Sequence, residues 1–348
     1  MEQHLLLGDS KDVLKTIKDG SIDLLATDPP YGIEFMGKSW DKVLPPKEIW
    51  TECYRVLKPG SFIAVMSSPR SDVLYRMIKD LEDAGFDMSF SPILWTYHTG
   101  FPKAYDIAKG IQGKKTLGSA NWSDWKKLDG ESEKRSLGYT SSQVEQGYRP
   151  EDYSDREYKK NIDITDEIAQ KYQGAKAGFQ PKPAVEHIII GMKPHGQKSY
   201  IDNVLNFEAL PENIKMTYPF IQVPKPAKKE KDMGLTGEAK QGRIGATYSA
   251  NQDSSKMGGN PDKPTLPKKN NHPTTKPVKL MSYIITLFTR EGDWVLDPFL
   301  GSGTTGVSAK LINRNFIGVE REQEYMDIVR ERCEVDRDEL IKFFKEGK

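Results

Sequence analysis

Four consecutive residues, Asp28-Pro29-Pro30-Tyr31, bring an unusual set of groups to one point of the chain. The two prolines fix φ and remove two backbone donors, so the segment must be a stiff turn. Such a turn exposes a carboxylate, a proline carbonyl and an aromatic face together. That set suits a planar amine. Asp28 and the Pro29 carbonyl can each accept one N–H, each charge-assisted bond contributing ~1.5–3 kcal/mol. Tyr31 can stack on the ring, worth ~1–3 kcal/mol for a heteroaromatic base. Holding both N–H groups draws the nitrogen lone pair out of conjugation and aims it at an electrophile. The predicted chemistry is direct in-line displacement with no covalent enzyme intermediate, and positioning alone can supply up to ~7–11 kcal/mol of it.

A second segment carries a nucleoside-binding pattern. Gly301-Ser302-Gly303-Thr304-Thr305-Gly306 matches G-x-G-x-x-G, after a predicted strand and before a predicted helix. The glycines let the backbone turn sharply and admit a nucleoside closely. They do not say which one, because hydride-transfer and methyl-transfer enzymes both place an adenosine beside such a loop. The preceding Asp297-Pro298-Phe299 suits a cationic sulfonium ligand bearing a free ammonium, from which Asp297 can accept, whereas a pyrophosphate would be repelled. Glu320, ending the next strand, is placed to accept both ribose hydroxyls.

The elements that must position these groups follow from hydrophobic spacing. A short strand at His4–Leu7 precedes a helix with Val13, Leu14 and Ile17 on one face and Gly20 as its stop. Ser21–Thr27 is a buried strand running into Asp28, Pro45–Leu57 a helix, Ser61–Ser67 a strand, Asp72–Ala84 a helix and Phe90–Tyr97 a strand. The pattern dissolves from Gly100 to Lys182, returns as a strand at Val185–Met192, and is irregular again from Lys193 to Lys269. Leu280–Phe288 is a helix, Trp294–Leu296 a strand into Asp297, a helix follows to Leu311, and Phe316–Val319 is a strand ending at Glu320. A charged helix from Glu322 closes the chain. Strands alternating with helices predict an α/β fold with a doubly wound, mostly parallel sheet. The expected division is 1–100, an insert at 101–184, a returning strand at 185–192, a basic insert at 193–269 and a final block at 270–348.

Composition narrows the class. The 348 residues are long enough for a large α/β domain plus a second module. Net charge is only +1, so any nucleic-acid surface must come from local segregation of charge. Lys225–Lys269, with ten Lys or Arg against five Asp or Glu, is such a region. Cys53 and Cys333 form neither a metal-spaced nor a disulfide pattern, so no metal site is expected. The N-terminal residues lack the features of a signal peptide, and no stretch approaches the ~20 apolar residues of a membrane span. An intracellular, cytoplasmic protein is expected.

With both motifs in hand the chain resembles the amino-group DNA methyltransferases, the N6-adenine and N4-cytosine family. Asp28, Pro29, Pro30 and Tyr31 resemble their catalytic motif, and Asp297 to Gly303 their cofactor motif. The catalytic motif comes first here, as in the permuted β group. Asn270–Pro277 resembles that group's Asn-x-His-Pro-Thr-x-Lys-Pro segment, and Leu7-Gly8-Asp9-Ser10 its Gly-Asp segment. Phe35–Asp41 and Gly100–Lys103 are similar to a phage and bacterial subgroup.

The resemblance covers about residues 4–100, 185–192 and 270–335. It implies a circularly permuted, seven-stranded sheet of the Rossmann-like methyltransferase type, with irregular inserts that recognise DNA. It implies S-adenosyl-L-methionine as cofactor, its adenine near Asp9 and Ser10 and its methionine end near His272, Thr274 and Lys276. Asp297, Phe299, Gly301, Gly303 and Thr304 would line the loop, and Glu320 would hold the ribose. The implied substrate is double-stranded DNA with the target base flipped out, at ~a few kcal/mol. The basic stretch would hold phosphates. Trp122, Trp125, Tyr139 and Tyr148 would wedge or stack, although small packing clusters are the simpler account of these aromatics. A homodimer, a cognate restriction nuclease and a phage origin in a bacterial cell are left open by the resemblance.

Other readings compete. An Asp at the first motif position favours N6-adenine in the family, Ser being commoner for N4-cytosine. A nicotinamide-dependent oxidoreductase would use the glycine loop but leave Asp28–Tyr31 without a role. RNA and protein-amide methyltransferases keep the cofactor loop first, and a non-catalytic DNA-binding protein would be more basic.

Overall fold

In a computed structural model the described residues are 1–33, 41–97, 105–118, 132–134, 157–159, 164–177, 185–209, 218–237 and 269–346. Strand β1 (Gln3–Leu7) is half-buried and leads to a short helix, α1 (Ser10–Val13), capped by the Asp9 side chain. A 3₁₀ turn at Leu14–Thr16 takes the place of the second half of the predicted helix, closing the turn before Gly20. Strand β2 (Ile22–Thr27) is buried at every residue, as expected of a strand covered on both faces. Helix α2 (Lys47–Val56) buries Ile49, Trp50, Cys53 and Val56, one stripe at helical spacing. Its capping residue Leu57 begins β3 (Leu57–Ser67), so the strand starts four residues earlier than predicted and runs through Pro59 and Gly60. Helix α3 (Ser71–Asp83) buries Val73, Met77 and Leu81, and β4 (Ile93–Thr96) follows.

Strand β5 (Val185–Met192) returns to the sheet. The segment read as irregular after Lys193 holds three elements: α4 (Tyr200–Phe207), β6 (Phe220–Gln222) and α5 (Lys228–Lys231). Helix α6 (Val278–Phe288) is apolar over most of its surface, and β7 (Trp294–Asp297) ends at the glycine loop. Helix α7 (Thr304–Leu311), β8 (Asn315–Glu320), α8 (Gln323–Glu334) and α9 (Arg337–Glu346) complete the chain.

The sheet order is β1-β8-β7-β2-β3-β5-β4-β6. Neighbours from β1 to β3 are parallel, β5 runs antiparallel to β3 and β4, and β6 is parallel to β4. The sheet therefore has eight strands where seven were expected. The extra one, β6, is a three-residue edge strand, held by Leu94 N donating to the Pro219 carbonyl at 2.8 Å. Two apolar clusters cover the two faces. In β3, Phe62, Ala64 and Met66 face one and Ile63 and Val65 the other, the two-residue alternation of a strand. Helices α6 and α7 contribute to the first cluster, and α2 and α3 to the second.

The chain forms two compact units, Met1–Gly100 with Ala184–Lys348, and Phe101–Pro183. The second unit was read as patternless, yet it holds a helix at Ile107–Leu117, capped by Asp106 at its start and by Gly118 at φ 68°. Gln112 Oε1 accepts from the Thr165 and Asp166 backbone N–H groups at 3.1 and 2.9 Å, tying that helix to the one at Glu167–Lys171. A helix interrupted by Lys109, Gly110, Gly113, Lys114 and Lys115 gives little apolar periodicity, which is why spacing alone missed it.

Candidate active site

The sheet order reverses direction between β2 and β7. From β7 the chain winds outward to β8, and from β2 the other way to β3. Open α/β sheets hold ligands outside the carboxyl ends of their strands at such a point. Asp28 follows the end of β2 and Asp297 ends β7, and the register pairs Leu24 with Val295 and Leu25 with Leu296. The two carboxylates predicted for chemistry and for cofactor thus belong to adjacent strand ends.

Asp297 is buried, at 2% exposure. Its Oδ1 accepts from the Thr27 hydroxyl at 2.6 Å and from Phe299 N at 3.0 Å, and its Oδ2 from the Thr305 hydroxyl at 2.6 Å. Burial pushes its pKa up to about 6, against the opposing pull of those hydrogen bonds. An ammonium would be a further partner for a carboxylate that already ties β2 to α7.

The tetrapeptide turn is closed from behind. Asp41 accepts from Tyr31 N at 2.7 Å and from Gly32 N at 3.1 Å. Gly32 has φ +66°, and a side chain there would also press on the Leu44 backbone N at 3.0 Å. Both oxygens of Asp28 are engaged. The Tyr31 hydroxyl donates to Oδ1 at 2.7 Å, and the Lys276 ammonium is ion-paired to Oδ2. Lys276, expected at the methionine end of a cofactor, therefore has its charge on the Asp28 carboxylate.

Glu186 on β5 completes this cluster. Its Oε2 lies 3.5 Å from Lys276 Nζ and 3.4 Å from the Tyr31 hydroxyl, and its Oε1 accepts from the Tyr97 hydroxyl at 3.1 Å. Lys225 Nζ stands 4.3 Å from the centre of the Tyr97 ring. Burial raises the Asp28 pKa, Lys276 works against that and Glu186 adds to it. For Lys276 burial disfavours the charge, but Asp28 and Glu186 outweigh it and hold the ammonium charged above its ordinary range. Burial, with the charges of Asp28 and Glu186, holds the Tyr31 phenol well above its usual value, so it stays a donor.

The glycine loop packs under four segments. Gly301 N donates to Glu320 Oε2 at 2.8 Å, and Glu322 N to Glu320 Oε1 at 2.8 Å. Leu7 pairs with Glu320 across β1 and β8, which sets Asp9 and Ser10 beside the loop, and the Ser10 hydroxyl donates to the Pro298 carbonyl. Gly301 has φ +55°, and a side chain there would meet His272 Nε2 at 3.0 Å. Thr274 N lies 3.4 Å from His272 Nδ1, and the Thr304 hydroxyl donates to the Lys276 carbonyl at 3.2 Å. Gly303, at φ +80°, starts α7. Phe299 packs on Trp50 with ring centres 5.7 Å apart.

Three residues of this framework lie outside every motif, Thr27, Glu186 and Arg332, while Asp41 and Thr305 lie within quoted segments but were assigned no role. Arg332, fully buried on α8, donates to the Ser302 carbonyl and lies 3.4 Å from the Thr304 hydroxyl. For Glu186 a cue existed, since it is an acid two residues before the apolar run Ile188–Ile190. Residues 34–40 and 100–103, and Trp122, Trp125, Tyr139 and Tyr148, lie outside the described residues. Of the basic stretch, 225–237 and Lys269 are described. There Glu230 accepts from Val278 N at 2.7 Å and Asp232 from Asn270 N at 3.0 Å, so this part is docked on the start of α6. No described helix is long and apolar enough to cross a membrane.

The chain is similar to the type II methyltransferase M2.DpnII of Streptococcus pneumoniae, 54% identical over 67 residues, 19% of this chain and 25% of the relative. It is also similar to the type II methyltransferase M2.LlaDCHI of Lactococcus lactis subsp. cremoris, 52% identical over 61 residues, 18% of this chain and 23% of the relative. The matches thus span about a quarter of each relative's length. Among solved structures, the PvuII DNA methyltransferase (cytosine-N4-specific) aligns over 99% of this chain and 92% of its own, at 16% identity and TM-score 0.49. A family model described as DNA methylase matches residues 22–331, and the chain belongs to that N6/N4 DNA methylase family.

Proposed function

We propose that the protein transfers a methyl group from S-adenosyl-L-methionine to the N6 amino group of a flipped-out adenine in double-stranded DNA. The observation that supports this most is the site at the end of β2. The Asp28 carboxylate, the Pro29 carbonyl and the Tyr31 ring stand beside the glycine loop, with the target's amine chemistry and a nucleoside cradle at adjacent strand ends.

The residues at the loop fit the cofactor. Glu320 is a carboxylate beside a glycine whose Cβ would fill the cradle, and Asp9 and Asp297 add acceptors suited to a cation rather than a pyrophosphate. When bound, the cofactor supplies an electrophilic methyl on sulfur. Glu320 would hold its ribose, Asp9 and Ser10 its adenine side, and His272, Thr274 and the loop its methionine end. Asp28 and the Pro29 carbonyl would accept the two N–H bonds of the target amine and aim its lone pair. Asp28 would then take the surplus proton of the methylated amine.

Asp rather than Ser at the first motif position supports adenine over cytosine; the relatives, both type II methyltransferases, support a role in restriction and modification. Tritiated methyl transfer to unmethylated DNA, followed by nucleoside analysis, tests the reading. N6-methyladenine is expected. N4-methylcytosine would replace the target base, and label in RNA or protein but not in DNA would overturn the substrate.

A further inference from the structure

Both groups that occupy the Asp28 carboxylate have the same second acceptor. The Tyr31 hydroxyl and the Lys276 ammonium lie 3.4 and 3.5 Å from one oxygen, Glu186 Oε2. Neither needs a backbone movement to reach it. Glu186 itself is fixed: β5 pairs Glu186 with Trp95 of β4, and Tyr97 holds the other oxygen at 3.1 Å. The side chain is 13% exposed, so water competes weakly for it.

This matters because Asp28, as it stands, has no oxygen free of a donor. Each oxygen can accept a second hydrogen bond, but an ammonium held on Oδ2 keeps the charge that the amine needs, and displacing a buried ammonium to nowhere leaves an unpaired charge. On the proposed methyl-transfer function, we propose that Glu186 is a positioning residue that takes over Lys276 and the Tyr31 hydroxyl when the base enters, and so frees Asp28 for the amine. The handover keeps Lys276 paired throughout. It also keeps one negative charge in the cluster that is not spent on Lys276, which is the charge that accepts the amine. The charged and titratable groups facing Glu186 are Asp28 and Tyr31 from the turn after β2, Tyr97 after β4 and Lys276 before α6, with Lys225 behind Tyr97.

The test uses the full-length protein with Glu186→Gln, Glu186→Asp and the double variant Glu186→Gln/Lys276→Met. In Glu186→Gln, Lys276 has only Asp28 to pair with. The expected result is a kcat at least tenfold below wild type, cofactor binding within twofold, and an acid limb of the kcat–pH profile moved to lower pH. Glu186→Asp should recover part of kcat and keep the wild-type limb. It also carries the test if the amide variant does not fold. The double variant should be faster than Glu186→Gln alone, because no ammonium then holds Asp28 and only the Tyr31 hydroxyl remains on it. An active wild type with Glu186→Gln unchanged in rate and pH limb would overturn the handover alone. So would a slow variant with an unmoved limb that neither Asp nor the second substitution rescues. A wild-type protein that methylates no DNA would overturn the underlying function, and the handover with it.

Discussion

The Thr27 hydroxyl donates to Asp297 Oδ1 at 2.6 Å, one residue before Asp28 and at the first residue of the Asp297-Pro298-Phe299 run. A single hydrogen bond thus joins the strand that leads to Asp28 to the strand that leads to the glycine loop. Both atoms are buried. Thr27→Val keeps the shape and removes the donor, leaving a buried carboxylate oxygen short of a partner at a cost of ~1–3 kcal/mol. The variant is predicted to melt several degrees below wild type and to lose kcat as the strand ends loosen. Calorimetry and the methyl-transfer assay check both; unchanged melting would show that the bond contributes nothing.

Asp297 itself predicts a pH effect on stability. Burial raises its folded pKa to about 6, above the unfolded value of ~3.9. The folded state therefore binds this proton more tightly than the unfolded one. The group's contribution is full below the unfolded pKa and is lost as pH rises through about 6, an effect on the order of 3 kcal/mol. Asp297→Asn has no such titration. The stability of wild type relative to that variant should fall between about pH 4 and 7, measured by denaturant titration. A difference that does not change with pH would show that the carboxylate is not perturbed.

Activity should carry a second pH signature. Asp28 can take the amine's surplus proton only when ionised, and burial holds its pKa above the ordinary carboxylate range. Methyl transfer is predicted to fail as pH falls through a midpoint above ~3.9. A kcat–pH profile at saturating cofactor and DNA checks it, and a flat profile down to that value would contradict it.

Gly301→Ala tests the cradle. The position sits at φ +55°, and the new Cβ would stand 3.0 Å from His272. The left-handed conformation alone costs ~1–2 kcal/mol. Cofactor affinity should drop about tenfold by titration calorimetry, a change of ~1.4 kcal/mol, with the far-ultraviolet spectrum retained. Unchanged affinity would move the cofactor away from this loop.

The strands of the sheet interior were legible because burial on both faces leaves short apolar runs, as in Leu24–Ala26 and Ile188–Ile190. The turn at Asp28–Tyr31 and the loop after Asp297 were legible because proline and glycine announce backbone geometry directly. Strand Phe220–Gln222 was not, since three residues with two exposed carry no alternation to read. The reach of Lys276 to Asp28, 248 positions away, was hidden because it depends on α6 lying against β2, a packing fact with no local pattern. Glu186 left a local cue, an acid before an apolar run, but its meaning comes from the strands that pair beside it.

The central claim is that Asp28 carries out the chemistry while the loop after Asp297 holds the cofactor. Its most direct test is Asp28→Ala, assayed for S-adenosylmethionine binding by calorimetry and for labelled methyl transfer to DNA in the same preparation. The predicted result is cofactor affinity within a few-fold of wild type and methyl transfer at background. Methyl transfer at the wild-type rate in Asp28→Ala would contradict the account.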